Sequence, residues 1–459
     1  MERRPSTTTL LSASVVGVYV LVVVGATAAL ADAAATCGGW PACDAALSPA
    51  VAVVLLHRAA AVAVGLLVVA TGLLAWTDLD GRSRAAVGVA LIGYPVQAGL
   101  GALVATGRGV AGAHLLVAMG IFGALVVALA WHLEAETGTD DAAAATPSPD
   151  PEQSLAEAAA IPEPAPLSDL DGTARVRETA WAYFQLMKPR LMWLLCLVAG
   201  AGMALAGSPS VWTVVATLGG GVLAIGASGT FNHVLERDVD RRMERTADRP
   251  VATHEVPVRN ALAFGGLLTV AALGAFLSVN LLAAALGLAA VVFYSIIYTL
   301  VLKPNTVQNT VLGGAAGALP ALIGYAAVTG TLGLPGLALA GVIFLWTPAH
   351  FYNLALAYKD DYERGGFPMM PVVRGETETR KHVLLYLGAT LLGASVLTAL
   401  AGLGWLYAVV TVGLGSVFLW AVVRLHRERT ESAAFRAFHA SNAYLGLLLV
   451  AVVVDSLAV

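Results

Sequence analysis

Apolar stretches long enough to cross a bilayer begin near Leu10, Val51, Ala85 and Ala111, and again near Leu191, Val211, Val258, Leu281, Asn309, Leu334, Val383, Trp405 and Ala440. Such a chain has few structural options, because lipid satisfies no backbone hydrogen bond and only helices or closed barrels cross it. The stretches are continuous and of helical length, so the pattern predicts an all-α polytopic membrane protein of about four spans, a linker and about nine more. Composition agrees: 58% of the 459 residues are hydrophobic, only 12% are charged, and the mean hydropathy is +0.78. The first stretch is too long, and too poorly followed by a small-residue cleavage site, for a removable signal peptide, and is expected to stay. A net charge of −4 points away from nucleic acid as a partner.

Between Glu134 and Asp171 the chain is acidic, carries Pro147, Pro149, Pro151, Pro162, Pro164 and Pro166, and has no lysine or arginine. That composition predicts a flexible tether. It divides the chain into a four-helix unit over 1–133, a linker over 134–177 and a nine-helix unit over 178–459. Positively charged short loops stay cytoplasmic. Starting with Arg3 and Arg4 inside, the span count puts Arg82 and Arg84, the segment from Glu236 to Arg249, Lys303, Lys359 to Lys381, and Arg424 to Arg436 on the same inner side. The expected location is the cell membrane, with the N-terminus and the acidic loops cytoplasmic.

A dense charge cluster follows one of these spans: Asn232, Glu236, Asp238 and Asp240, then Arg245 and Arg249. Carboxylates beside hydrocarbon need a partner. On a helix Asn232, Glu236 and Asp240 recur every fourth residue and share one face. Oxygen ligands so spaced suit Mg²⁺, which is typically held by one or two carboxylates plus substrate phosphates. Lys303, Pro304 and Asn309 break a later span at an inner boundary, as anion binding requires. A further inner segment carries Trp346, His350, Tyr352 and Asn353 on the membrane side of Lys359, Asp360 and Asp361. Two acidic clusters on one membrane face can clamp a diphosphate through the metal from both sides.

These motifs, in this order, resemble the UbiA superfamily of intramembrane prenyltransferases and, within it, the protohaem IX farnesyltransferases, or haem O synthases. The likeness rests on Lys188-Pro189-Arg190, on Asn232 to Arg249 with its Asp-x-Asp-x-x-Met-x-Arg-Thr core, on Lys303 to Asn309, and on Phe344 through His350 and Lys359-Asp360-Asp361-Tyr362 to Arg380. It implies nine helices around a cavity open to lipid, Mg²⁺-dependent ionisation of farnesyl diphosphate, and attack by a vinyl group of haem b on the allylic carbocation. The residues carry that chemistry. Metal at Asn232, Glu236 and Asp240, helped by Asp360 and Asp361, would act as Lewis acid. Lys188, Arg190, Arg245, Arg249, Lys303, Asn309 and Lys359 would bind phosphate oxygens or haem propionates. Tyr298, Trp346 and Tyr352 either stabilise the cation or pack, and His350 either ligates haem iron or packs. Glu236 stands where an aspartate is more common, and reaches one methylene further as a hard oxygen ligand.

The first unit has its own polar set. Cys37 and Cys43 lie in the first outer loop, where oxidation is favoured, close enough in sequence for a disulfide. His57, next to Arg58, and His114 lie at matching depth on separate spans, so that together they can ligate one haem from both faces. From about Val16 to His132 the segment resembles one half of a haem A synthase, except that the glutamate which family carries three residues before its His-Arg pair is Val54 here. That resemblance implies a unit that binds haem, or stabilises an assembly with a haem A synthase or oxidase partner, without oxidising haem O.

Two rivals stand beside haem farnesylation. One is a UbiA-type enzyme with a quinone or lipid acceptor; the other is a non-enzymatic haem carrier whose acidic clusters are ion pairs.

Overall fold

The computed structural model describes residues 5–30, 37, 40, 43, 45–138 and 171–458. Among them 13 helices are long and apolar enough to cross a membrane. Four come first: α1 (Thr7–Leu30), α2 (Pro49–Ala75), α3 (Gly81–Ala105) and α4 (Ala111–Thr137). A shorter helix, α5 (Gly172–Leu186), leads into α6 (Pro189–Ala206), α7 (Val211–Leu235), α8 (Val258–Leu277), α9 (Leu281–Val292, continued as a π-helix over Phe293–Leu302), α10 (Asn309–Thr329) and α11 (Leu334–Ala357). The last three are α12 (Glu376–Ala401), α13 (Trp405–Glu428) and α14 (Glu431–Ala458). The chain is a multi-pass, all-α membrane protein. Arg3, Arg4 and the proline-rich part of the expected tether lie outside the described residues. At the tether's two ends the structure differs from the expectation, because α4 runs on through Thr137 and α5 begins at Gly172.

The helices fall into two compact units whose limits differ from the linear division. In the first, α1–α4 pack with α12, α13 and most of α14. Polar side chains stitch this contact: Tyr19 bonds Thr411 at 3.1 Å, Thr411 bonds Tyr444 at 3.3 Å, and Lys381 reaches Glu134 at 2.6 Å. Gly388 lets α12 approach Val126 of α4, where a Cβ would sit 2.7 Å from a valine methyl. Expected linker residue Glu134 is therefore an anchor of a helix contact.

The second unit contains α5–α11 and the loops between them. With no hydrophobic drive between helices in lipid, close packing rests on small residues. Gly202 of α6 and Gly324 of α10 face backbone carbonyls, of Ala321 and Ala199, that an added Cβ would strike. Phe276, fully buried, fills the notch left by Gly220 on α7 and Gly287 on α9.

Candidate active site

The charge cluster forms at the end of α7. The helix stops at Leu235 and a four-residue turn of helix restarts at Arg237, so the continuous helix expected through Asp240 is interrupted. The shared face survives the break, because Glu236 N still bonds Asn232 O at 2.9 Å and Asp240 N bonds Glu236 O at 2.7 Å. All three side chains are buried.

Their partners come from other segments of the chain. Lys303 donates to Glu236 at 2.6 Å, Arg249 donates to both oxygens of Asp240 at 2.8 Å and lies 4.0 Å from Glu236, and Lys188 donates to Asn232 Oδ1. The neighbouring Arg237 and Arg241 instead meet exposed Asp238, and Arg241 also binds the Ala252 carbonyl. Three basic side chains thus face two carboxylates, an excess of up to one positive charge that favours an anion. Burial opposes ionisation of Glu236, but Lys303, Lys188 and Arg249 outweigh it and hold its carboxyl below the usual range. Burial, reinforced by Arg249 and Lys303 and opposed by Glu236, brings Lys188 down to about 7.

Local backbone aims these groups. Lys188 has φ 54°, a left-handed conformation rare outside glycine, directly before Pro189. Such a residue costs roughly 1–3 kcal/mol and persists where its surroundings fix it. Here Gly229 permits it, since a Cβ there would lie 2.8 Å from the Leu186 carbonyl oxygen and 3.2 Å from Lys188 Cγ. The π-helix over Phe293–Leu302 sets the register of the opposite wall. Thr299 accepts from Asn232 Nδ2 at 3.2 Å, Tyr294 Oη lies 3.4 Å from Lys188 Nζ, and Lys303 follows immediately. Tyr294 and Thr299 escaped the sequence reading, because a five-residue step between them is off-face in an ordinary helix. The stretch from Tyr298 to Asn309 hinted only at a break.

The second acidic segment closes over the first. Asp361, buried, accepts from the backbone amides of Glu244 at 2.8 Å and Arg245 at 3.1 Å and from Arg364 at 2.7 Å. Its carboxylate pins the turn after Asp240. Tyr362, Phe367 and Met369 pack on Met243, and Phe367 lies under the Lys303 ammonium at 4.2 Å from ring centre. Beside the cluster an apolar crevice opens from Lys188 and Tyr294 along α6 and α7.

A family model described as the UbiA prenyltransferase family matches residues 193–448. The chain belongs to the UbiA prenyltransferase family. Within that family it is 72% identical over 451 residues to protoheme IX farnesyltransferase 1 of Natronomonas pharaonis, with 98% of each chain covered. It is 64% identical over 459 residues to protoheme IX farnesyltransferase of Haloarcula marismortui, again with 98% of each covered. Protoheme IX farnesyltransferase 1 of Saccharopolyspora erythraea is 45% identical over 281 residues, which are 60% of this chain and 89% of that one. Among solved structures, digeranylgeranylglyceryl phosphate synthase shares the fold: TM-score 0.52 at 14% identity, over 61% of this chain and 100% of that one.

As a UbiA family member the chain gathers only part of its sequence-predicted set around the cluster. Asn232, Glu236, Asp240, Lys188, Arg249 and Lys303 converge. Arg245 lies with its guanidinium 5.1 Å from the Tyr358 ring and 5.6 Å from the Tyr362 ring. Tyr298 stacks obliquely on Tyr294 at 5.6 Å, and buried Asn309 donates to the Lys303 carbonyl at 3.4 Å. His350 stacks on Trp346, one turn earlier in α11, with ring centres 4.3 Å apart, and Tyr352 is fully buried. Asn353 donates to Ala349 and leaves its Oδ1 without a hydrogen bond. Arg190 and Asp360 are exposed, and Lys359 pairs with Glu376 at 3.3 Å. None of these last three has a described contact with the cluster.

In the first unit Cys37 and Cys43 form a disulfide with a Cα separation of 5.1 Å. Val54 packs with Cys37 and Val51 in one buried cluster. His57 sits against Gly25 and His114 against Gly101, each nearer than 3.3 Å to where a glycine Cβ would be. Each has a buried Nδ1 without a hydrogen-bond partner.

Proposed function

We propose that this protein transfers the farnesyl group of farnesyl diphosphate to a vinyl group of haem b, giving haem O. The observation that carries the reading is the net-positive cluster of Asn232, Glu236, Asp240, Lys188, Lys303 and Arg249 at the mouth of an apolar crevice, a fit for a molecule with a charged head and a prenyl tail. The acceptor follows from relatives named protoheme IX farnesyltransferase at up to 72% identity along the whole chain. The transferase itself is the stretch 178–459. The arginine and lysine placement supports a cytoplasmic face for its acidic loops.

The donor set suits a divalent ion. Among the described residues no three His, Cys, Asp or Glu side chains form a closed metal cage, and Mg²⁺ is ordinarily held by one or two carboxylates together with phosphate oxygens and water. Asn232, Glu236 and Asp240 would hold it. When bound it supplies positive charge to the leaving oxygens of the diphosphate. Asp361, whose oxygens accept from the Glu244 and Arg245 amides and from Arg364, acts by fixing the turn after Asp240.

Lys188, Lys303 and Arg249 bind the remaining phosphate oxygens and draw off charge as the allylic C–O bond breaks, its electron pair leaving on the diphosphate. Apolar walls keep water from the cation, and Tyr294 and Tyr298 present ring faces near its origin. The vinyl π-electrons of haem then form the new C–C bond. Water captures the resulting cation beside the macrocycle and releases a proton. A haem carrier needs none of this machinery. Diphosphate release from farnesyl diphosphate, dependent on both haem and Mg²⁺, is the distinguishing assay; release that needs a quinone or lipid acceptor, or no release at all, would overturn the reading.

A second reading concerns the first unit: His57 and His114 ligate one haem. The paired unbonded Nδ1 atoms support it. With two imidazole ligands the bound haem has a low-spin spectrum. Substituting either histidine in the full-length protein should convert it to high spin, and an unchanged spectrum would exclude these ligands. Val54, a packing residue, offers no carboxylate for oxygenase chemistry.

A further inference from the structure

The apolar crevice runs lengthwise between helices, with Lys188 and Tyr294 at one end. Its α7 wall runs from Gly229 and Ser228, beside Lys188, through Ile225 and Gly221 to Thr217. The twelve helical steps from Thr217 to Gly229, at 1.5 Å each, make this wall about 18 Å long. At its far end stand Phe276 from α8, Thr217 from α7 and Ile323 from α10. Phe276 is the bulky member and is held in place: Cβ atoms at Gly220 or Gly287 would lie 2.9 Å or 2.5 Å from its ring. Next to Gly220 on α7, Gly221 also lines the crevice, and a Cβ there meets nothing within 4 Å. One end of the crevice is therefore charged, the walls are apolar, and a ring held between two glycines lines its far part.

We infer that Phe276 and Gly221 set the length of prenyl chain this enzyme accepts, Phe276 as the floor and Gly221 as the gap through which the tail passes. This rests on the prenyl-transfer reading and adds to it the residues that select the donor. The diphosphate is anchored at Lys188, so chain length is read from that end. Each isoprene unit moves the tail closer to the ring of Phe276. A chain that stops short leaves apolar wall unfilled, and one that is too long meets the ring.

Two substitutions move the floor in opposite directions. Gly221→Leu puts a side chain into open crevice space and replaces glycine inside a helix with a better helix former, so the fold tolerates it. Phe276→Leu keeps an apolar filler between Gly220 and Gly287 while shortening it. Offered geranyl, farnesyl and geranylgeranyl diphosphates in competition, Gly221→Leu should shift use toward geranyl, and Phe276→Leu toward geranylgeranyl. Each ratio should change by about tenfold, the usual discrimination from one or a few methylenes in an apolar pocket.

A second readout needs no turnover. Cys196 lines the same crevice and, with Cys37 and Cys43 joined, is the remaining thiol of the three cysteines. Farnesyl diphosphate should slow its alkylation by an apolar maleimide, whereas inorganic diphosphate should not. Wild-type donor ratios in both variants, or alkylation unaffected by farnesyl diphosphate, would overturn the inference while leaving transfer itself intact. Prenyl transfer absent in the wild type, with Cys196 still protected, would instead sink the functional reading and leave the chain pocket standing.

Discussion

Lys303 reaches Glu236 at 2.6 Å across 67 residues of chain, and both side chains are nearly withdrawn from solvent. A carboxylate buried at the end of a membrane span is thereby neutralised by a lysine delivered from the end of a π-helix. Removing one partner strands a buried charge, at a cost of about 3–5 kcal/mol, whereas removing both is far milder. Lys303→Met and Glu236→Gln should each lower unfolding stability in detergent more than the double variant does. Additive losses would show the pair to be energetically uncoupled.

Metal ligation separates Asn232 from Glu236. Asn232→Leu deletes an oxygen ligand and the bond to Thr299, so Mg²⁺-dependent transfer should fall by two to three orders of magnitude, about the loss on removing one charge-stabilising group. Glu236→Asp keeps a hard oxygen and should retain most of the rate. Equal activity in the two variants would contradict their placement as ligands.

Asp361 behaves differently from Asp240. Its oxygens face two backbone amides, so Asp361→Asn turns an Nδ2 donor toward an N–H and should cost about 1–3 kcal/mol of stability. The folded fraction should need little extra Mg²⁺ for half-maximal rate. Asp240→Asn should show the reverse, modest destabilisation with a much higher Mg²⁺ requirement. The comparison is read by thermal unfolding alongside metal titration.

The spans, their number and the acidic cluster were legible in the sequence because membrane length and the four-residue spacing of Asn232, Glu236 and Asp240 are local properties. The partners were not. Nothing near Glu236 in sequence announces Lys303, and Arg237 and Arg241, the obvious candidates, turn to Asp238 and the Ala252 carbonyl. Tyr294 and Thr299 come together only through a π-helical register, and Lys188 reaches Asn232 only through a left-handed backbone that its pre-proline position disguises. The grouping of α12–α14 with α1–α4 rests on contacts such as Tyr19 to Thr411, which join distant parts of the chain.

Close helix packing gives an internal control. Gly324 faces the Ala199 carbonyl with no room for a Cβ, whereas Gly221 faces open space. Gly324→Leu should abolish folded protein, and Gly221→Leu should leave yield and melting temperature near the wild type. Comparable yields for both would mean α6 and α10 do not pack through their backbones.

Farnesylation of haem b is read directly from the mass of the haem. Cells that make haem b but no haem O of their own should, on expressing this chain, yield extracted haem with a farnesyl-sized mass gain, and the Asp240→Asn variant should not. Haem b recovered unaltered from cells containing folded, membrane-inserted wild-type protein would contradict the assignment.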